Sequence, residues 1–321
     1  MLNLNWVFIM KLVVINLLWL SVGAPLPSHQ LYHSEQLYII PWGEDPGRIC
    51  TFFWDTEPDS PDRVGMIDPP GPWAVSETGE LVIGEYTRSG ARLTKFAADG
   101  SMIAFANLAS MGLELPSRLA VSPDGTVLMD NRLWLGDPPK QVRGLCLLDS
   151  ELELANSVPI PCPDRSYPLV KDIFSLNDGG FGVLFSADQM DPETWDFTYG
   201  RYCLLCSADG TVTDLSPLYM GPESDPGPMQ SRFITPLGEK RPRIEDRYGF
   251  TYWGKVPDSD KTMNIYSPEG ELVFSHTLVS DSDYRMRGCF YYYCIMWSGD
   301  FYTLHASDEG AVLTKYTLVT E

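Results

Sequence analysis

Trp73-Ala-Val-Ser-Glu-Thr-Gly79-Glu-Leu-Val-Ile83 and Leu119-Ala-Val-Ser-Pro-Asp-Gly125-Thr-Val-Leu-Met129 read as two copies of one unit: an apolar run, a polar tight turn ending in glycine, and a second apolar run. Three looser copies follow at Ile173-Phe-Ser-Leu-Asn-Asp-Gly179, Arg247-Tyr-Gly249-Phe-Thr-Tyr-Trp253 and Trp297-Ser-Gly299-Asp-Phe-Tyr302. An acidic residue and glycine between alternating apolar residues signal a β-hairpin, because glycine enters the left-handed backbone region without steric cost. The turn glycines recur at intervals of 46, 54, 70 and 50 residues, a spacing that suits propeller blades.

Each unit carries a second turn, at Asp99-Gly100, Asp149-Ser150, Asp209-Gly210, Glu269-Gly270 and Glu309-Gly310. Two tight turns joined by a longer loop make four antiparallel strands, the blade of a propeller. The expected fold is therefore all-β, a β-propeller of four-stranded antiparallel blades. Five blades are countable, and a sixth has room either in residues 43–70 or in residues 179–249. The fifth unit is short, with Gly299 and Gly310 only 11 residues apart. The strand Gln36-Leu-Tyr-Ile-Ile-Pro-Trp42 is expected to complete it, pairing the N- and C-terminal strands and removing exposed edges.

The stretch Gly71-Pro-Trp-Ala-Val-Ser-Glu-Thr-Gly-Glu-Leu-Val-Ile83, with Arg92-Leu-Thr-Lys-Phe-Ala-Ala-Asp-Gly100, resembles the repeat of NHL-type and related six-bladed propellers. The resemblance implies a fold and leaves activity open.

Alternate connections of a meander share a side, so both tight turns of every blade fall on one face of the ring. The longer connections fall on the other: residues 134–140, 186–197 and 256–261 within blades, and 55–70, 161–168 and 218–230 between them. Varied loops on a rigid scaffold are where binding usually resides. At the end of each second strand, six residues past the turn glycine, stand Glu85, Asn131, Lys255 and His305, with Ser186 when Gly180 is counted as the turn. A carboxylate, amide, amine, imidazole and hydroxyl converging on the channel mouth would bind a polar ligand, with His305 and Lys255 as candidates for proton transfer. Propellers that resemble lactone hydrolases hold calcium with Glu, Asn and Asp, which makes Glu85, Asp130 and Asn131 the candidate metal set. No other cofactor is expected.

Composition narrows the partners. Of 321 residues, 43 are acidic and 23 basic, a net charge of −20 that repels phosphate backbones and excludes nucleic acid. The loops Trp42–Gly47, Trp54–Asp62 and Asp188–Asp196 mix tryptophan with carboxylates and prolines, a chemistry suited to protein, peptide or carbohydrate ligands. Lys11 followed by the apolar run Leu12–Leu20 and Ala24 reads as a secretory signal peptide over residues 1–24, with Met10 as an alternative start. Counting back through Trp6 leaves an uncleaved anchor open. The expectation is export to the periplasm or outside the cell, a flexible segment over residues 25–36, one propeller domain over 37–321, and no stable membrane insertion once the signal is removed. Function is expected to be binding through the long-loop face, with a calcium-assisted hydrolase or lyase at the channel mouth as the alternative. Cys203 and Cys206, three apart on an expected strand, should face opposite sides and not share a metal.

Overall fold

The structure is a computed structural model and describes residues 31–43, 45–50, 52–54, 66–68, 71–162, 168–176, 178–190, 197–221, 246–254, 262–277, 293–296, 298–307 and 309–319. Residues 1–24, read from the sequence as a signal peptide, Lys255 and most of the long loops lie outside these residues. The chain divides into two units, Met1–His33 with Leu318–Glu321, and Ser34–Thr317. In the first, the Val319 N–H donates to the Leu31 carbonyl at 2.9 Å. Among the described residues no helix is long and apolar enough to cross a membrane.

The chain is a β-propeller of antiparallel blades. Strand β1 (Tyr32–Pro41) is followed by a small hairpin, β2 (Phe52–Trp54) with β3 (Met66–Asp68). The first blade holds β4 (Trp73–Val75), β5 (Leu81–Thr87), β6 (Gly90–Phe96) and β7 (Met102–Asn107). The second holds β8 (Leu119–Val121), β9 (Val127–Leu135), β10 (Lys140–Leu148) and β11 (Leu154–Pro159). The third holds β12 (Pro168–Ser175), β13 (Phe181–Met190), β14 (Phe197–Cys206) and β15 (Val212–Gly221). Of the fourth, three strands are described: β16 (Thr251–Gly254), β17 (Thr262–Tyr266) and β18 (Leu272–Thr277). The closing blade has the order β1, β21 (Gly310–Leu318), β20 (Phe301–Ala306), β19 (Tyr293–Ile295). The first and last strands thus pair as expected, although β1 begins at Tyr32, four residues before Gln36. The described residues hold five blades and, within residues 43–70, a two-stranded hairpin where a sixth had room.

The repeated turn is built the same way each time. The N–H of Gly79, Gly125, Gly179, Gly249 and Gly299 donates to the carbonyl three residues back at 2.9–3.1 Å, with φ between +81° and +88°. Gly179, and not Gly180, is therefore the turn residue of the third blade. The second turns at Gly100, Gly210 and Gly270 repeat the device. Gly310 differs: it opens β21 and belongs to the turn between second and third strands of the closing blade. That explains the short fifth unit, whose outermost strand is β1 and whose third-to-fourth turn does not exist.

Both faces of a blade pack against neighbours, so Leu81, Val82 and Ile83 are all fully buried despite alternating sides of β5. β4 lies beside β8, and β8 beside β12. With β19 these inner strands surround a cavity of about 30 Å³, lined by residues that include Ala74, Ala120, Phe174 and Cys294. Cys203 packs with Phe174 and Leu184, and Cys206 with a separate cluster around Phe181 and Leu204, so the two sulfurs serve opposite faces. Burial pushes the Cys146, Cys203 and Cys206 thiols up to about 12, which keeps them protonated and inert.

Candidate functional site on the long-loop face

The second strands deliver their polar ends to the roots of the long loops. On β5, Glu85 sits opposite Arg92 of β6. Its Oε1 accepts from Arg92 Nη2 at 2.9 Å, Arg92 Nε at 3.0 Å and Thr94 Oγ1 at 3.2 Å, and its Oε2 accepts from the Cys50 N–H. Arg92 continues to the Arg48 carbonyl at 3.0 Å. The carboxylate thereby ties the segment arriving from the closing blade to the first blade. Burial pushes Glu85 above the usual carboxylate range, against the Cys50 N–H, Arg92 and Thr94, which favour the charged form.

One blade on, Asp130 and Asn131 do the same for the loop entering β8. Asp130 accepts from the N–H groups of Ser117 and Arg118 at 2.7 Å each, from Ser117 Oγ at 2.6 Å and from Arg143 Nη1 at 3.3 Å. Asn131 grips Glu114 through both its amide groups, accepting at 3.2 Å and donating at 2.8 Å. The oxygens of Glu85, Asp130 and Asn131 thus meet separate sets of N–H and O–H donors. Among the described residues no group of three or more His, Cys, Asp or Glu is arranged to hold a metal ion.

The other expected site residues fall elsewhere. With Gly179 as the turn, Phe185 takes the place equivalent to Glu85 and Asn131, and Ser186, one residue further, sits on the opposite side of β13, paired with Leu169 and Arg201. His305 is half-buried on β20 opposite Val312, where its charge acts on His276. His276, on β18 of the fourth blade, meets the closing blade: Nε2 lies 2.7 Å from the Tyr316 hydroxyl and Nδ1 3.1 Å from that of Tyr293, which also donates to the His276 carbonyl at 3.1 Å. With the Tyr293 proton on that carbonyl, Nδ1 carries the hydrogen and Nε2 accepts from Tyr316. Burial, then the His305 charge, holds His276 below its ordinary value.

Beyond Asp130 the β9–β10 hairpin rises out of the ring. Arg132 lies directly opposite Arg143, and Trp134 opposite Gln141. Arg132 and Trp134 share one side of β9 while Leu133, 8% exposed, points the other way. Trp134 is 65% exposed; Tyr86, at the corresponding end of β5, is 55% exposed. Arg132 is 3.5 Å from the Glu114 carboxylate. Sequence reading named the loop beginning at Trp134 but not the arginine pair, which exists only once the hairpin register is known.

No protein family and no curated protein matches the chain. In fold it is similar to a mannose phosphorylase from Leishmania mexicana (13% identity, covering 76% of this chain and 88% of that one, TM-score 0.33). It is likewise similar to a luciferin-regenerating enzyme (9%, 77% and 91%, 0.36). An endo-arabinase from Bacteroides thetaiotaomicron is a third (13%, 75% and 90%, 0.33). None of these lends the chain an activity.

Proposed function

We propose that this chain is an exported propeller with an NHL-like repeat, acting as a binding module through its long-loop face. The observation that carries this reading is the pair of open aromatic side chains there, Trp134 and Tyr86, on adjacent blades. Large exposed aromatics mark contact surfaces when they cluster on one side of a scaffold. The opposite face is built of turns whose acids are used locally: Asp99, Asp124 and Asp209 each accept from a serine hydroxyl and a backbone N–H in their own turn. The test is capture on peptide and glycan arrays by the wild-type chain and by Trp134→Ala/Tyr86→Ala. Binding is expected to fall with the double substitution and to persist in Glu77→Gln on the turn face. Binding that survives loss of both aromatics sinks the reading.

A further inference from the structure

We draw no further inference here: the strongest candidate, the apolar patch that Met102, Ile103 and Phe105 expose along β7 at the outer edge of the first blade, carries nothing because nothing in the structure shows what covers it.

Discussion

Lys95 Nζ lies 3.0 Å from Glu80 Oε2 within the first blade and also reaches two carbonyls of the second, Gly125 at 3.3 Å and Ser150 at 3.2 Å. One buried ammonium therefore joins both tight turns of one blade to those of its neighbour. Apolar packing between blades fixes distance more than angle; the lysine adds direction, as do the hydrogen bonds from Arg118 Nε to the Lys171 carbonyl and from the Asn156 amide to the Asp209 carbonyl between the second and third blades.

Replacing Lys95 with Met keeps the volume and strips the charge. Glu80 and two carbonyls then lose their donor in a buried setting, and removal of one partner from such an arrangement costs on the order of 2–4 kcal/mol. Urea unfolding should show that loss in Lys95→Met, and less than additive loss when Glu80→Gln is combined with it. Additivity would mean that the two side chains act independently.

His276 makes stability depend on pH across the fourth-to-closing seam. Its folded value lies below the ordinary one of about 6.5. As pH falls through 6.5 the unfolded chain takes up a proton that the folded chain refuses, so stability is present above that value and is lost on acidification toward the folded value. The groups facing it from the closing blade are Tyr293, Phe301, His305 and Tyr316, and Met263 pairs with it on β17. The urea midpoint should drop between pH 7 and pH 5 in the wild-type chain and drop less in His276→Gln. Equal slopes in the two proteins would remove His276 as the cause.

Calcium distinguishes the two readings of Glu85, Asp130 and Asn131. Their oxygens already accept from guanidinium, hydroxyl and backbone N–H groups, and a metal ion would have to displace these. Thermal unfolding is expected to be unchanged by calcium. A site filled at a hundred times its dissociation constant would add about 2.7 kcal/mol, so an upward shift that is lost in Asp130→Asn would restore the metal-assisted alternative.

The turns were legible because positive φ requires glycine, and where glycine is absent the reading weakened. Leu152 takes the left-handed position of the second blade's outer turn at φ +65°, fully buried, with its N–H on the Asp149 carbonyl; burial overrides the backbone preference there, and no local signal shows it. The adjacent glycines at 179 and 180 produced the opposite error. Counting from the second shifts the register by one, which in a strand exchanges one face for the other and selects Ser186 where Phe185 stands. Glu309-Gly310 reads as an outer turn, whereas it joins β20 to β21, because spacing alone does not say which pair of strands a turn joins. The Arg132–Arg143 pair depends on cross-strand register over nine-residue strands, information that no window of sequence contains.

Closure of the ring rests on how near β1 comes to β21. A Cβ added at Gly310 would stand 2.0 Å from the Ile40 carbonyl oxygen, a backbone atom that moves only if the strands part. Gly310 is not in the left-handed region, so the requirement is one of space. Gly310→Ala is expected to cost about 2–4 kcal/mol through overpacking and lost ladder bonds and to expose β1 amides to hydrogen exchange before those of the first blade. Gly270→Ala is the control: nothing lies within 4 Å of its added Cβ and φ is +87°, so it should cost only the left-handed backbone penalty of about 1–2 kcal/mol and leave β1 protected. If β1 exchanges at the wild-type rate in Gly310→Ala, the N-terminal strand is not what holds the ring shut.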